Sequence, residues 1–177
     1  MTAIVYKYAD SQAEYDEIAK LNYSTFVEEI PQHEPNPERV RVDAMHHKNT
    51  YIIAKNSENG LLGMMALNME RPFSLDYKIE NLDKYLDPAI KYCEVRLLSI
   101  TPKSRKGLIL RGLIGLLADY AVKNKIGCLL VSGTTRELKM YNRVGFKPFH
   151  NLVGKEGAYY QPMMLMVTNK EVDKWTL

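Results

Sequence analysis

Glu94 is the charged residue of this 177-residue chain whose surroundings constrain its chemistry most. It lies in 93–101, a strongly apolar run that predicts a buried strand. Because an unpaired buried carboxylate is costly, Glu94 must either pair with a cation or face a cleft. Alternation along a strand places Arg96, Leu98 and Ile100 on the face of Glu94. Two interpretations stay open: an ion pair with Arg96, or a carboxylate at a cleft.

A basic turn follows this strand and precedes the next helix. Lys103, Arg105 and Lys106 lie together just before Gly107, and an apolar helix is predicted over 108–124. The positive charge of this turn suits a phosphate group. The alternative is that the three cations belong to a solvated surface turn.

The composition predicts one globular domain spanning residues 1–177. Apolar residues make up 46% and charged residues 25%, and a net charge of +3 spread along the chain provides no basic face for nucleic acid. No apolar run approaches the roughly 20 residues that span a bilayer, and the N-terminus lacks a signal-peptide pattern. Cys93 and Cys128, each inside an apolar run, indicate a reducing compartment. We therefore expect a cytoplasmic protein without nucleic-acid or membrane partners.

The predicted order of elements is one strand, two helices, three strands, a helix, a strand, a helix and two strands. Strands are expected over 3–9, 50–55, 61–69, 93–101, 128–132, 146–149 and 159–167, and helices over 11–30, 37–47, 108–124 and 135–144. Ser11 and Glu14 form the capping box of the first helix, and Gly145 ends the last. Gly112 and Gly115 each cost about 1 kcal/mol relative to alanine, so we expect close backbone packing there. This order predicts a mixed α/β (α+β) sheet with helices on both faces.

The unit from strand 93–101 to Gly145-Phe146 resembles the second half of the GNAT acyltransferase fold. Within that superfamily the chain is most similar to the branch of N-acyl amino acid synthases and acyl-homoserine lactone synthases. The resemblance implies a mostly antiparallel central sheet that contains a parallel strand pair. It also implies an N-acyltransferase in which an amine attacks a thioester carbonyl directly.

Tyr141 is the implied general acid. In the family, a tyrosine four residues before a Gly-Phe pair lies beside the thioester sulfur, and Tyr141-Asn142-Arg143-Val144-Gly145-Phe146 matches this pattern. The departing thiolate has a pKa of about 8.5, so a positioned phenol can protonate it. The alternative is that Tyr141 packs its helix onto the sheet.

Glu94 is the implied general base, at the offset where some members of the family place a glutamate. The backbone N–H groups of Leu98, Ser99 and Ile100 would polarise the carbonyl. The alternative for Glu94 is still its ion pair with Arg96.

The basic turn departs from the family pattern Arg/Gln-x-x-Gly-x-Gly/Ala, whose backbone N–H groups hold a pyrophosphate. With Arg105 at the first position, Leu108 and Leu110 occupy the glycine positions, and Gly107 is one place early. Donor contacts are implied for Arg105, Lys106, Gly107, Leu108, Ile109 and Leu110. Glycine-poor turns are typical of relatives that take long acyl chains from acyl carrier protein. The predicted donor is acyl-CoA (acetyl or longer) or carrier-protein phosphopantetheine, with the longer chain favoured.

The acceptor is expected to be a small-molecule amine. Residues 23–29 resemble a helix motif of the synthases that ends in Val-Phe-Val-Glu-Glu, and 71–76 resemble a second segment of that group. The candidate acceptor-binding residues are Phe26, Glu28, Arg71 and Tyr159. No metal is expected, because His33, His46 and His47 have no partners at ligand spacing. Acyl carrier protein and a homodimer are open as partners.

A different class of function is also considered, a non-catalytic GNAT-fold module that binds a ligand or a protein. This alternative expects Glu94 to be sealed by Arg96 and Tyr141 to face the core.

Overall fold

The structure is a computed structural model that describes residues 3–58, 60–105, 107–155 and 158–176. Its strands are β1 (Val5–Tyr8), β2 (Thr50–Asn56), β3 (Gly60–Asn68), β4 (Tyr92–Ile100), β5 (Cys128–Thr134), β6 (Lys147–Pro148), β7 (Val153–Lys155) and β8 (Ala158–Met166). Its α-helices are α1 (Gln12–Tyr23), α2 (Leu108–Lys123), α3 (Leu138–Val144) and α4 (Asn169–Thr176). A π-helix (Ser24–Glu29) continues α1, and 3-10 helices cover His46–Lys48, Ser74–Tyr77, Leu82–Tyr85, Pro102–Ser104 and Thr135–Glu137.

The chain forms two units, and the first comprises Met1–Leu67 and Leu97–Leu117. Strands β1, β2 and β3 follow one another in sequence and pair antiparallel. Gly60 begins β3 with a φ of 63°, a conformation that favours glycine at the end of a hairpin turn. A core of apolar side chains from α1, β2 and β3 includes Ile18 and Ile53, both at most 3% exposed.

Helix α1 begins at the predicted N-cap, Ser11, whose Oγ accepts a hydrogen bond from the Glu14 N–H at 3.4 Å. The second bond of the predicted capping box is displaced by one residue, because the Glu14 carboxylate accepts from the Asp10 N–H at 3.0 Å and not from Ser11. The local sequence therefore fixes where the helix begins.

The second unit comprises Asn68–Arg96 and Ala118–Leu177. The start of β4 pairs with β5 in parallel, and β8 pairs antiparallel with β5, β6 and β7. A parallel pair needs a crossover between its strands, and α2 lies between β4 and β5 in the chain. Gly145 ends α3 in the left-handed conformation with a φ of 119°, as the sequence predicts.

The strand order along the sheet is β1-β2-β3-β4-β5-β8-β6, and β7 pairs with β8 off this path. The predicted fold class, a mixed and mostly antiparallel sheet with one parallel pair and helices, is confirmed. The prediction of a single domain over 1–177 stays a prediction. Within the part of the chain that the structure describes, no helix has the length and apolar character needed to cross a membrane.

The sequence prediction differs from the structure mainly in short elements. The helix predicted over 37–47 is wrong, since the described backbone there forms only turns before the 3-10 helix His46–Lys48. The backbone of Arg41 pairs with α1 instead of with its own segment: its N–H donates to the Ala19 carbonyl at 2.9 Å, and its carbonyl accepts from the Asn22 side chain at 3.0 Å. Strand β7 and helix α4 were not predicted, because each is short and β7 depends on its pairing with β8.

Candidate active site

The Glu94 carboxylate is fully buried in the second unit, and three donors hold its oxygens. Ser74 donates its N–H to Oε2 at 2.7 Å and its hydroxyl to Oε1 at 2.6 Å, while the Leu75 N–H donates to Oε1 at 3.1 Å. These residues open a 3-10 helix whose first N–H groups have no partner within the helix. The carboxylate on β4 thus caps this helix, which explains how an acidic residue is stable in an apolar strand.

Two cations lie close to Glu94 in the same unit. Arg96 Nε is 3.5 Å from Glu94 Oε2. The Lys78 ammonium donates instead to the Ser132 hydroxyl at 2.9 Å and lies 4.4 Å from the centroid of the Tyr160 ring. Burial lowers the pKa of Lys78, and the charge of Glu94 opposes that change while the charge of Arg96 adds to it. The expected ion pair with Arg96 is present, and a second cation lies beside it.

Strand β4 changes conformation directly after this cluster. Its parallel register with β5 runs from Tyr92 to Val95, and Leu97 then adopts a φ of 54°. Left-handed backbone is uncommon for a residue with a side chain, and within a strand it interrupts the two-residue alternation. The alternation expected for Leu98 and Ile100 therefore does not extend past Leu97.

The residues predicted to polarise the carbonyl, Leu98, Ser99 and Ile100, belong to the first unit. Ser99 is buried, and its hydroxyl has no hydrogen-bond partner among the described residues. Gly63 of β3 lies against this segment: a Cβ there would come within 3.1 Å of Ser99 O and 2.9 Å of Ile109 Cγ2. The close approach of β3 and β4 explains the glycine. The role of the three N–H groups stays a prediction.

Arg105 connects the basic turn to the end of β4 and to Glu29, all within the first unit. Its Nε donates to the Ile100 carbonyl at 2.9 Å, and its two terminal nitrogens donate to the Glu29 carboxylate at 2.7 and 2.5 Å. A phosphate at this guanidinium would therefore compete with Glu29. Gly107 adopts a φ of 88° with open space where a Cβ would be. Lys106 lies outside the described residues.

The start of α2 carries side chains where the family pattern has glycines. Leu108 is 62% exposed, Leu110 is partly buried, and Ile109 between them is buried. The Leu108 carbonyl accepts from the Tyr6 hydroxyl at 3.1 Å. One turn later a Cβ on Gly112 would lie 2.1 Å from Cζ of the Tyr6 ring. Gly112 is therefore closely packed, although against a side chain and not against backbone as expected, and the expectation for Gly115 stays a prediction.

Tyr141 lies on α3 in the second unit with its ring against Gly133 of β5. A Cβ on Gly133 would lie 2.8 Å from Tyr141 Cδ2, and the Phe146 ring contacts Tyr141 edge-on at 5.9 Å between centroids. Burial, and to a lesser degree the charge of Glu137, raises the pKa of the Tyr141 phenol well above its usual value. Within the described residues its hydroxyl has no hydrogen-bond partner. The phenol is therefore protonated at neutral pH and available as a donor.

The first-unit candidates for acceptor binding lie on the π-helix. Phe26 is partly buried, and Glu28 is exposed and pairs with Arg39. The π-helical geometry was not predicted, although the expected helix extends through this segment.

The second-unit candidates for acceptor binding are Arg71 and Tyr159. Arg71 pairs with Asp76 and with Asp83, the latter at 2.9 Å. Tyr159 is 45% exposed, and the tyrosine whose ring contacts Lys78 is its neighbour Tyr160. Substrate binding by Arg71 and Tyr159 stays a prediction.

A family model described as N-acyl amino acid synthase FeeM matches residues 17–169. The chain belongs to this family. The matched range includes Glu94, Lys78, Arg105 and Tyr141. The predicted enzyme class, an N-acyltransferase, is confirmed by this membership.

Solved structures share the fold of this FeeM-family chain at low identity. A CoA-dependent acyl-homoserine lactone synthase, BjaI, with SAM and isopentyl-CoA has a TM-score of 0.76 at 17% identity, over 99% of this chain and 88% of that one. TofI in a ternary complex with an inhibitor and MTA has a TM-score of 0.77 at 14% identity, over 99% and 96%. FeeM from uncultured soil microbes has a TM-score of 0.66 at 16% identity, over 99% and 94%. No curated protein matches the sequence.

Four side chains of the FeeM-family site were not singled out from the sequence: Ser74, Lys78, Ser132 and Tyr160. Lys78 lies in 71–92, where no strand or helix is predicted, so its position provided no face or spacing to interpret; Ser74 lies in the segment 71–76, of which only Arg71 was named as a candidate. Tyr159 was named as a candidate in place of its neighbour Tyr160, and a strand places these two residues on opposite faces. Pairing across strands, which brings Ser132 opposite Pro162 in the register, has no local signature.

The two cysteines are core residues of neighbouring strands, as expected. Cys93 on β4 and Cys128 on β5 are both completely buried and unpaired. Burial raises the pKa of Cys93 to about 12 and that of Cys128 to about 11, so neither is a thiolate nucleophile at neutral pH. Among the described residues, no three His, Cys, Asp or Glu side chains are grouped so that they could hold a metal ion.

Proposed function

We propose that this protein transfers an acyl group from a thioester to the amino group of a free amino acid. The match of residues 17–169 to the N-acyl amino acid synthase family carries the proposal. In this reaction the amine nitrogen forms a bond to the thioester carbonyl carbon, the carbon–sulfur bond breaks, and the amine loses a proton. The protein must therefore accept one proton and stabilise one departing thiolate.

Ser74 links Glu94 to the acceptor in this proposal. Glu94 is buried, and its oxygens accept hydrogen bonds from three donors, so direct contact with an amine would displace one of them. The Ser74 hydroxyl is only partly buried and lies 2.6 Å from Oε1. The amine proton passes to Ser74 Oγ as the hydroxyl proton passes to Glu94 Oε1. Glu94 thus retains the base role through a relay.

Tyr141 donates its O–H to the departing sulfur, and the N–H groups of Leu98, Ser99 and Ile100 stabilise the carbonyl oxygen. Because the pKa of Tyr141 is raised, the phenol is fully protonated when the thioester binds. Tyr141→Phe should lower kcat by about 100-fold, since a positioned acid contributes 10²–10⁴. The melting temperature should not change, because the described residues provide no partner for the hydroxyl. Tyr85→Phe, at a tyrosine that is 43% exposed, is the matched control; equal kcat in the two variants would remove Tyr141 as the acid.

The donor is proposed to carry a long acyl chain on CoA or on acyl carrier protein. Leu108 and Leu110 stand where the family pattern has glycines that let the backbone approach a diphosphate. The Arg105 guanidinium is already hydrogen-bonded to the Glu29 carboxylate. A donor with a single phosphopantetheine phosphate requires fewer of these contacts. Charge-reversal at Lys103 should weaken the use of carrier protein more than that of acyl-CoA.

The test is release of free thiol from acetyl-, octanoyl- and palmitoyl-CoA and from acylated carrier protein, each with a panel of amino acids. We expect turnover to require an amino acid and to rise with chain length. Absence of thiol release and of donor binding across the panel would contradict the proposed function. Equal rates with acetyl and palmitoyl donors would reject only the preference for long chains.

A ligand- or protein-binding module is the second candidate, and the complete burial of Glu94 beside Arg96 is the observation that favours it. Such a module would bind an acyl thioester without releasing its thiol. The same assay separates the two candidates, because donor binding without turnover is expected only of the module.

The cytoplasm is the proposed compartment. Two completely buried, unpaired thiols on neighbouring strands are compatible with a reducing environment. Acyl carrier protein is the macromolecular partner proposed, and a homodimer is tested by light scattering.

A further inference from the structure

Lys78 carries a charge that its immediate contacts do not neutralise. Its ammonium is held by a hydroxyl (Ser132, 2.9 Å) and by the face of an aromatic ring (Tyr160, 4.4 Å to the centroid). Both are neutral groups. Among the described residues, Glu94 is the one carboxylate whose charge acts on Lys78, and it does so from beyond ion-pair distance.

Lys78 is the cation of this cluster that no carboxylate of the described residues pairs directly. Glu94 contributes one negative charge, and it is hydrogen-bonded to Ser74 and Leu75 and lies 3.5 Å from Arg96. Arg96, with a side chain 14% exposed, and Lys78 each contribute one positive charge. Burial lowers the pKa of Lys78, which means that the surroundings disfavour its charged form. A second anion beside Lys78 would remove this penalty.

The segment that carries Lys78 also carries Ser74. Ser74 begins the 3-10 helix Ser74–Tyr77, and Lys78 follows its last residue. One face of this short segment therefore presents a proton relay to Glu94, and its end presents a cation. An α-amino acid has an amine and a carboxylate on the same carbon, so these two features match its two charged ends.

We propose that Lys78, with Arg96 beside it, binds the carboxylate of the amino acid acceptor. This inference rests on the proposed function and assigns the residues that select an acid over an amine. Ser132 and Tyr160 position the ammonium. The ligand's carboxylate supplies the missing negative charge, and the acceptor amine is then directed toward Ser74. Charge-assisted hydrogen bonds of this kind are stronger than neutral ones, which makes them suited to discrimination.

The experiment compares each amino acid with its carboxamide as acceptor, using one long-chain acyl-CoA and the full-length protein. The wild type should prefer the acid by about 50-fold in kcat/KM, because only the acid carries the negative charge. Lys78→Met should lower kcat/KM for the acid by about 100-fold, mainly through KM, and that for the amide by less than about 3-fold. Lys84→Met, which removes an exposed lysine of the same region, is the control and should match the wild type.

Two further variants keep the test decisive if Lys78→Met does not fold. Lys78→Arg retains the charge and should retain preference for the acid. Ser132→Ala frees the ammonium and should lower kcat/KM for the acid alone, by about 5-fold. Equal use of acid and amide by the wild type, or equal loss of both in Lys78→Met, would overturn the assignment. In either case turnover of amino acids by the wild type would leave the proposed function standing.

Discussion

Each unit of this protein contains a buried carboxylate beside the start of a helix, and the two carboxylates have different partners. In the first unit Glu14 accepts from the Asp10 N–H and is contacted directly by Lys7 at 3.0 Å and Lys55 at 3.5 Å. In the second unit Glu94 caps a 3-10 helix and has one cation, Arg96, within ion-pair distance. The nearby Lys78 contacts neutral groups instead.

This difference separates a structural carboxylate from one in a site. Around Glu14 both cations reach the carboxylate, so its charge is balanced and a structural role at the entry to α1 accounts for it. Around Glu94, the donors of Ser74 and Leu75 and the Arg96 guanidinium bind the carboxylate oxygens. The Lys78 ammonium contacts neutral groups, so it can still bind another anion. Burial of a carboxylate alone therefore does not indicate a functional site. A buried cation that lacks a carboxylate partner, beside a carboxylate whose own partners are all present, does.

The largest effect is expected from Glu94→Gln. The amide directs N–H groups at donors that now bond to a carboxylate, and it removes the negative charge of Glu94 that acts on Arg96 and Lys78. Breaking a buried pair in this way costs about 3–5 kcal/mol of unfolding free energy. Urea denaturation measures it, and thiol release should fall below detection. A variant within about 1 kcal/mol of wild type would show that Glu94 is not the centre of the cluster.

Glu14→Gln should alter the dependence of stability on acid. Burial by itself raises the pKa of Glu14, but bonds from Asp10 and Lys7 and the charge of Lys55 hold it at about 2, below the usual 4.5. Because the folded-state pKa is the lower one, the stabilisation is complete above about pH 4.5 and is lost as pH falls toward 2.

After allowing for screening near the surface, we expect Glu14 to contribute about 2 kcal/mol at pH 7. Glu14→Gln should lose that amount at pH 7 and show a flatter acid limb in urea denaturation at a series of pH values. Asp16→Asn, on the exposed side of the same helix, is the control. Parallel acid limbs in wild type and Glu14→Gln would show that Glu14 is not held ionised.

Replacing one serine at a helix start in each unit, Ser11 and Ser74, should separate an effect on stability from an effect on activity. Ser74→Ala and Ser11→Ala should each cost about 1 kcal/mol, since each removes one hydrogen bond at a helix start. Only Ser74→Ala should slow catalysis, by about 100-fold, because it interrupts the relay. Thermal melting and steady-state kinetics measure the two effects. Similar kcat in both variants would remove Ser74 from the proton path.

The smallest effect is expected at a third carboxylate, the partly exposed Glu29. It pairs with Arg105, whose side chain is 40% exposed. Arg105→Ala should cost at most about 1 kcal/mol, and less in high salt, because solvent screens such pairs. Its clearer effect should be on KM for the acyl donor, if the turn contacts a phosphate. A KM unchanged for every donor would limit Arg105 to holding the turn.

Local patterns predicted the elements whose cause is local. The N-cap at Ser11, the glycine end of α3 and the apolar length of α2 were predictable from sequence because neighbours in sequence produce them. Strand β7 and the turns over 37–47 were not, since the strand depends on pairing with β8 and the turns depend on hydrogen bonds between Arg41 and α1. The positive φ of Leu97 could not be predicted from the sequence, because leucine rarely adopts a positive φ.

The sequence by itself determined the class of this protein. Three local features follow one another as in the GNAT acyltransferases that the chain resembles: the strand with Glu94, the turn with Arg105 and the helix with Tyr141. Each of these elements is predicted by residues that are neighbours in sequence. Only the tertiary structure decided what surrounds Glu94. Ser74, Lys78 and Ser132 are 20, 16 and 38 residues away in sequence, and no local rule brings them to β4. Burial makes their charges matter, since an uncompensated charge is costly only where water is excluded.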